Sequence, residues 1–180
     1  MKLGIISDAH HYYDSLGRLC VHEIVARQFE QWADLFDDVT VCAPLVDGTP
    51  PSTHVPYAVD NIRIIQISSA GGDSIRKKMD LLIKIPGWWK TLHQLLGNVD
   101  AIHIRCPNNI SILGLLALQR TSLLRQAVYT GAWGEQVYMV EAITYRWQRW
   151  FLRNIFRGPV AVYGKLPGDP DHIVSSFSPS

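Results

Sequence analysis

The sequence predicts a three-layer α/β domain with a mostly parallel sheet. Short runs rich in β-branched residues alternate with amphipathic helical patterns along the chain, which is typical of βαβ units. The first run, Leu3–Ser7, is almost continuously apolar, as expected of a strand that is buried on both faces. Right-handed crossovers then make the strands parallel, and ligands are expected beyond their carboxyl ends.

The composition is that of one folded domain over residues 1–180. Hydrophobic residues make up 47% of the chain and the formal net charge is +1, so neither disorder nor nucleic-acid binding is expected. The three cysteines form no CxxC pair, which indicates free thiols in a reducing compartment. The longest apolar stretch, Ile110–Leu118, is far short of the ~20 residues that span a bilayer. We therefore expect a cytoplasmic protein.

In the first half of the chain, the pattern predicts a helix between the first two strands. Apolar side chains fall on one helical face within Cys20–Ala33, and a turn at two aspartates separates this helix from a strand at Val39–Ala43. The prolines and turn residues of 44–61 predict a long loop, with a small hairpin at Asp60-Asn61. Ile62–Ile67 is the third predicted strand.

In the second half, a long amphipathic segment begins at Ser74, which is the predicted N-cap. The pattern is interrupted at Pro86-Gly87, resumes from Trp88, and stops at Gly97. Alternating strand and helix patterns then follow to the end of the chain. They predict elements at Ala101–Arg105, Ile110–Gln119, Ala127–Thr130, Glu141–Phe156, Val160–Tyr163 and Ile173–Phe177.

Polar residues follow the first strand directly, in the loop that starts at Asp8. Asp8 and His10 are two residues apart, a spacing that lets an oxygen and a nitrogen ligand face one first-row metal ion, as in metallophosphoesterases. A two-metal hydrolase needs further ligands from later loops, and the Gly-Asn-His and Gly-His-x-His signatures of those enzymes are absent. The alternative is that Asp8 stabilises the loop while His10 and His11 are solvated.

Motifs for several other chemistries are missing. No G-x-G-x-x-G follows the first strand and no G-x-x-x-x-G-K occurs, which disfavours dinucleotide and P-loop nucleotide binding. No G-x-S-x-G elbow is present for a serine hydrolase.

Several segments, spread over nearly all of the chain, carry a resemblance to a known family. They are KLGIISD, Ser15-Leu16-Gly17 opening a helix, FEQWADLFDDVTVCAP, VDAIHIRCPNN, YTGAW and HIVSSFSPS. The most specific combination is Arg105-x-Pro107, Trp133 and the S-F-S-P-S end, in this order. With these segments the chain resembles the N-terminal, Rossmann-like domain of family 4 glycosyltransferases, which have the GT-B fold.

The resemblance implies a role in sugar transfer. In that family two Rossmann-like domains face each other across a cleft; the N-terminal one binds the acceptor and the C-terminal one binds a nucleotide-activated sugar. This chain corresponds to the acceptor half, so its partner would be a saccharide or a lipid-linked acceptor, and no cofactor besides the nucleotide-sugar co-substrate is implied. The donor-binding half would come from a further domain or from a partner chain, and transfer would retain the anomeric configuration.

The resemblance also implies which loops approach the substrates. Gly17 corresponds to the glycine region that lets the backbone approach the donor diphosphate, although many relatives have two adjacent glycines there. Trp133 lies after the fifth strand, where many relatives have a histidine, so no catalytic residue is carried over. Asp8, His10 and His11 belong to the loop on the same wall of the cleft.

Arg105 and Asn108 follow the fourth predicted strand. The Arg105 guanidinium suits a bidentate contact with an acceptor phosphate or carboxylate, and a salt bridge that holds the loop is the alternative. Pro107 shapes this loop. Asn108 or Asn109 is predicted to be the N-cap of the next helix, with a ligand contact as the alternative for Asn108.

Two predicted helices carry basic and aromatic residues together. Spacings of three, four and four place one stripe of arginines on the helix at 141–157, with Trp150 beside it. The opposite arc holds Ile143, Trp147, Phe151 and Ile155, which we expect to pack on the sheet. The stripe consists of Arg146, Arg149, Arg153 and Arg157. The second surface combines Arg76-Lys77-Lys78 and Lys84 with Trp88-Trp89-Lys90. Such surfaces suit anionic lipid head groups at the inner face of a membrane; solvated helix faces are the alternative.

The leading hypothesis is therefore a glycosyltransferase acceptor domain in saccharide biosynthesis. A non-catalytic binding module of the same fold is the second hypothesis, and a metallophosphoesterase that uses Asp8 and His10 is the third.

Overall fold

The computed structural model describes residues 1–68, 75–133 and 142–176, and within residues 75–80 it describes the backbone only. Within these residues, seven strands form the main sheet and three form a small one. The main sheet contains β1 (Lys2–Ile6), β4 (Asp38–Pro44), β6 (Ile62–Ile67), β7 (Ala101–Cys106), β8 (Leu124–Tyr129), β9 (Val160–Val162) and β10 (Ile173–Ser175). The small sheet contains β2 (Tyr12–Tyr13), β3 (Leu19–His22) and β5 (His54–Pro56). The helices are α1 (Glu23–Ala33), α2 (Ile75–Leu96), α3 (Asn109–Leu118) and α4 (Ile143–Asn154).

All neighbouring strands of the main sheet are parallel, in the order β10-β9-β8-β7-β1-β4-β6. Leu3 of the central strand β1 pairs with Val39 of β4 on one side and with Ala101 of β7 on the other. The chain runs from β1 to β4 in one direction and from β7 through β8 to β9 in the opposite one. Right-handed crossovers therefore place the connecting helices on opposite faces. The predicted three-layer α/β class with a mostly parallel sheet is confirmed.

Each face of the main sheet has its own core. On one face, Phe29 of α1 packs in a cluster that includes Val41 of β4. On the other face, α2, α3 and α4 lie side by side and contribute Leu92, Leu115 and Phe151 to the larger cluster. This unequal distribution of helices follows from the order of the strands.

α1 packs on the half of its face that is centred on β1 and β4. Among the described residues, α1 contacts β7 through Gln28 and Trp32, and no helix covers β8, β9 and β10 on this side. Ile102 and Ile104 of β7 belong to the core on the three-helix face, whereas His103 lies on the α1 side beside Gln126 of β8 and Tyr163 after β9. Side chains thus alternate between apolar and polar, which is uncommon in parallel strands because helices usually cover both of their faces.

The first helix is shorter than predicted. A helix over Cys20–Ala33 is wrong at its start, because Leu19–His22 forms β3, which pairs antiparallel with β2 and β5. Val21 is fully buried in this arrangement. The helix begins at Glu23, where the His22 imidazole accepts a hydrogen bond from the Ile24 backbone N–H at 3.4 Å.

Two predicted local features in the first half are wrong. Ser15-Leu16-Gly17 does not open a helix but lies in a turn, in which the Gly17 N–H donates to the Asp14 carbonyl at 3.0 Å. Asp60-Asn61 does not form a hairpin, because β5 pairs with β3 and β6 joins the main sheet. The Asn61 amide instead donates to the Ala33 and Phe36 carbonyls at 2.9 and 3.0 Å, so it satisfies carbonyls at the end of α1 and just beyond it.

The predicted interruption at Pro86-Gly87 is also wrong, since α2 continues through Pro86 from Ile75 to Leu96. Proline removes one helical hydrogen bond, and the helix is held directly after this point by the packing of Trp88. Trp88 is 3% exposed and its indole N–H donates to the Ser68 carbonyl at 3.1 Å. The helix ends as predicted, with the Gly97 N–H donating to the His93 carbonyl at 3.0 Å. The predicted N-cap, Ser74, lies outside the described residues.

Candidate functional site

The loop after β1 is fixed by hydrogen bonds to its own residues and to the end of β4. The Ser7 N–H donates to the Cys42 carbonyl at 3.1 Å, and the Ser7 hydroxyl accepts from the Ala9 N–H at 3.1 Å. The His11 N–H donates to the Pro44 carbonyl at 2.8 Å. These bonds hold the intervening residues at the carboxyl edge of the main sheet.

A cleft of about 160 Å³ opens at this edge. Asp8 and His10 reach it from the loop after β1, and Asn108 reaches it from the loop after β7. Trp88 of α2 and Tyr145 of α4 also line it. Asp8, His10 and Asn108 thus lie together at this edge, and their contact with a substrate stays a prediction.

The cleft contains an acidic group with an altered pKa. Asp8 is exposed on one side, but the surrounding protein removes enough water to raise the pKa of its carboxyl above the ordinary value. The positive charge of Arg105, the neighbouring His10 and the Asn108 amide act in the opposite direction. Asp8 can therefore accept hydrogen bonds from a ligand when ionised, and its carboxyl is a weaker acid than a fully solvated one.

His11 does not face the cleft, and the expectation that it is solvated is wrong. The ring is 0% exposed, with Nδ1 at 2.8 Å from the Ala9 carbonyl and Nε2 at 2.9 Å from the Tyr57 hydroxyl. Since a carbonyl can only accept, Nδ1 carries the proton and Nε2 accepts from tyrosine. Burial lowers the pKa of His11 to about 4, so the ring is neutral near neutral pH and holds the loop in place.

Asn108 is the N-cap of α3, as predicted. Its side-chain oxygen accepts from the Ser111 N–H at 2.7 Å, and the Ser111 hydroxyl is within 3.2 Å of the Asn108 N–H, which completes a capping box. The Asn108 amide also donates to the Arg105 carbonyl at 2.5 Å. Asn108 thus fixes the loop after β7 and borders the cleft at the same time.

Sequence reasoning missed Gln148, which connects α4 to this cap. Gln148 is 0% exposed, and its side-chain oxygen accepts from the Ser111 hydroxyl at 2.6 Å and from the Asn108 N–H at 3.2 Å. The available signal was its spacing, because residue 148 lies on the same helical face as Phe151 and Leu152. A polar side chain on the apolar face of a helix indicates a buried hydrogen-bond network.

Arg105 is half-buried and contacts a neutral group. Its guanidinium donates to the Gln28 side-chain oxygen at 2.7 Å, and no ion pair of Arg105 occurs within the described ranges. Burial lowers the pKa of Arg105 below its ordinary value, and the negative charge of Asp8 opposes this shift. The predicted loop salt bridge is therefore replaced by a hydrogen bond to an amide of α1.

Gly17, Trp133 and the Arg105 side chain, which were also expected there, do not line the cleft. Gly17 has φ +75 and belongs to the turn that the Asp14 carboxylate holds by accepting from the Leu16 N–H at 2.9 Å. Trp133 is 2% exposed, and its indole N–H donates to Asp169 at 2.8 Å. Its ring therefore fills a gap in the core.

The arginine stripe of α4 is smaller than predicted. Arg153 pairs with the Asp169 carboxylate at 2.6 Å and lies 5.2 Å from the centre of the Trp133 ring, so its assignment to the exposed stripe is wrong. Arg149 donates to the Ala132 carbonyl at 3.2 Å and is half-buried. The exposed members of the predicted surface are Arg146 and Trp150 on α4, together with Arg157, which lies after the end of the helix and so does not continue the stripe. Lipid binding by this reduced surface stays a prediction.

The opposite arc of α4 packs only in part. Phe151 is 4% exposed and Trp147 packs against the core, but Ile143 is 82% and Ile155 is 37% exposed, so packing of these two isoleucines on the sheet is wrong. On α2, Trp88 is buried, while the side chains of residues 76–78 lie outside the described part of the chain. No helix in the described ranges is long and apolar enough to span a membrane.

A metal site at Asp8 and His10 would need a third ligand. Within the part of the chain that the structure describes, no three His, Cys, Asp or Glu side chains come close enough to hold a metal ion. No model of a known protein family matches this chain, and no curated protein matches it.

Proposed function

We propose that this chain is the acceptor-binding domain of a glycosyltransferase that uses a nucleotide-sugar, and that the acceptor lies in the cleft at the carboxyl edge of the sheet. One observation carries the proposal. Asp8 follows β1 and Asn108 follows β7, and the direction of the crossovers reverses between these two neighbouring strands. In open parallel sheets, ligands bind in the crevice at such a reversal.

The groups in the cleft suit a hydroxyl-bearing acceptor. The Asp8 carboxylate accepts hydrogen bonds, His10 donates or accepts, and Tyr145 and Trp88 supply apolar surface. Arg105 adds a positive charge near Asp8, which suits the phosphate of a lipid-linked saccharide. The nucleotide-sugar is the co-substrate in this proposal, and a donor-binding domain supplies its site.

The test measures acceptor binding and sugar transfer separately. Neutral saccharides and saccharide phosphates are titrated into the wild type, the Asp8→Asn variant and the control variant Asp60→Asn, whose aspartate is also exposed. We expect Asp8→Asn to weaken acceptor binding by about tenfold, which is ~1.4 kcal/mol, and Asp60→Asn to have no effect. Transfer from UDP- and GDP-sugars is assayed with the chain alone and together with a candidate donor-binding domain. Equal affinities in all three proteins, with no transfer, would contradict the proposal.

A non-catalytic binding module is the second candidate. It is favoured because several polar groups that were expected to contact a substrate are already engaged in hydrogen bonds within the protein. His11, Asn108 and Trp133, which were expected to contact a substrate, all form internal hydrogen bonds instead, so Asp8 and His10 are the titratable side chains among the expected residues that line the cleft. A module of this kind would bind the acceptor with the same dependence on Asp8 but would not transfer sugar in any combination. The transfer assay therefore separates the two candidates.

A further inference from the structure

A second concave site lies on the uncovered half of the sheet, away from the cleft at its carboxyl edge. This groove has a volume of about 280 Å³, close to the roughly 300 Å³ at which small-molecule pockets begin. One wall is α1, with Gln28, Gln31 and Trp32, and the floor is formed by the polar face of β7, β8 and β9. A neighbouring, mostly apolar hollow of about 160 Å³ shares Trp32, His103 and Gln126 with it and is also lined by Arg125.

His103 marks the floor of the groove as a polar site with an unused acceptor. The residue is 6% exposed, and its Nδ1 lies 2.6 Å from the Gln126 side-chain oxygen. An amide oxygen accepts, so Nδ1 carries the proton and Nε2 keeps its lone pair. No partner for Nε2 occurs among the residues that the structure describes, although the ring lines the groove. Burial lowers the pKa of His103 to about 4, so this lone pair is available near neutral pH.

The lining of the groove is polar but carries no formal charge. Its hydrogen-bonding groups come from glutamine, histidine, tyrosine and serine, and among the described residues no Asp, Glu, Lys or Arg side chain lines it. Glutamine amides and hydroxyls both donate and accept. They are spread from α1 across the sheet to Tyr163 and Ser176, so a ligand must offer hydrogen-bonding groups over its whole length.

Two aromatic rings complete the site. Trp32 lies on the α1 wall, with its ring centre 5.2 Å from that of His103, and Tyr163 lies on the far side of the floor. Aromatic rings offer apolar faces together with a polar edge. Sugars match this combination, because their hydroxyl groups donate and accept at the ring edge while their C–H groups form apolar faces.

We propose that the groove between α1 and the uncovered strands binds a neutral oligosaccharide of two or three sugars, with a sugar hydroxyl donating to His103 Nε2. The proposal does not rest on the transferase function, since the groove and the cleft at the carboxyl edge are lined by different residues. A charged ligand is disfavoured, because no charged side chain lines the described part of the groove and the nearby Arg105 already donates to Gln28 on its wall.

The test uses neutral trisaccharides of glucose, mannose, galactose and N-acetylglucosamine, with adenosine and uridine as planar, non-saccharide probes. Saturation-transfer NMR detects binding to the wild type, and titration calorimetry measures the affinity. We expect at least one trisaccharide to bind, and its affinity to fall by about tenfold or more in Gln31→Ala and in Tyr163→Ala. Gln31 is exposed on α1, so its variant is expected to fold normally even if the tyrosine variant does not.

Matched controls are available outside the groove. Gln94 and Tyr13 are exposed and do not line it, so Gln94→Ala and Tyr13→Ala should bind like the wild type. Failure of every trisaccharide to bind the folded protein overturns the proposal, as does binding of a nucleoside alone. If Asp8→Asn abolishes binding while Gln31→Ala does not, the sugar lies in the cleft at the carboxyl edge. That result overturns the proposed groove site and supports the proposed acceptor site. Binding of a trisaccharide in the groove without any sugar transfer supports the proposed groove site and contradicts only the proposed transferase function.

Discussion

At the scale of single residues, Gln148 shows how a buried amide positions the cleft from a distance. Its side-chain oxygen receives hydrogen bonds from the Asn108 N–H and the Ser111 hydroxyl, and its amide donates to the Thr144 carbonyl at 3.3 Å. The network joins α4 to the first turn of α3. Because the residue is 0% exposed, any group that loses its partner here has no water to replace it.

Replacing Gln148 with methionine keeps the volume of the side chain but removes its hydrogen-bonding groups. We expect Gln148→Met to lower the free energy of unfolding by roughly 1–3 kcal/mol, since the Ser111 hydroxyl loses its bond to Gln148 and the Asn108 N–H keeps only its bond to Ser111. Gln94→Met, on the exposed face of α2, is the matched control and should change stability by less than about 0.5 kcal/mol. Urea denaturation followed by circular dichroism measures both. Equal losses in the two variants would show that the network does not stabilise the fold.

At the scale of whole elements, the return from α4 to β9 depends on a close approach of two backbones. Gly158 follows α4, and a Cβ placed there would lie 2.3 Å from the Arg125 carbonyl oxygen of β8. The Arg125 guanidinium in turn donates to the Leu118 carbonyl at 3.0 Å, just before the connection from α3 to β8. The absence of a side chain at residue 158 therefore lets the segment after α4 pass close to the backbone of β8.

Gly158→Ala should be destabilising, whereas Gly87→Ala should not. We expect the first variant to lose about 1–3 kcal/mol or more, because a contact with backbone cannot be relieved by a change of rotamer. Gly87 lies inside α2 with nothing within 4 Å of its added Cβ, so alanine there should stabilise by up to about 1 kcal/mol. Thermal melts of the two variants check the opposite signs, and a loss of stability at residue 87 would contradict the continuous helix.

Local periodicity predicted the elements well where each strand or helix packs through its own pattern. Ile62–Ile67 was predicted with the bounds that the structure has. Leu19–His22 was not predicted as a strand, because its partner, His54–Pro56, is more than thirty residues away and the helical pattern extends into it. α2 was predicted to break at Pro86, and the packing of Trp88, which offsets the lost hydrogen bond, is a tertiary contact.

The candidate site was also predicted only where local sequence patterns determine it. Asp8 and Asn108 were placed correctly, since the carboxyl ends of neighbouring parallel strands meet at one edge. The burial of His11 and Trp133 depends on partners that are 46 and 36 residues away. No local pattern indicates such partners, so both residues were expected at the cleft. The groove on the α1 side depends on the order of the strands and was not predicted.

At the scale of the whole molecule, the two histidines whose pKa is lowered most by burial lie on the α1 side of the sheet. His11 supports the loop after β1, and His103 lies on the uncovered half. Burial lowers the pKa of each to about 4, so the folded protein holds both rings neutral at pH values where the unfolded chain would protonate them. Stability must therefore depend on pH in a range where carboxyl groups contribute little.

The sign of this dependence follows from the direction of the two shifts. Histidine in the unfolded chain titrates near pH 6.5, and in the fold near pH 4, so the unfolded state takes up more protons as the pH falls between these values. The stabilisation is fully present above about pH 6.5 and should decrease by about 2 kcal/mol for each histidine between pH 7 and pH 5. Chemical denaturation at pH 7, 6 and 5 measures the decrease.

His103→Gln and His11→Gln should each lower the free energy of unfolding at pH 7 but reduce its decrease with pH by about half. If a variant keeps the slope of the wild type, its histidine is already protonated in the fold and does not supply a neutral acceptor.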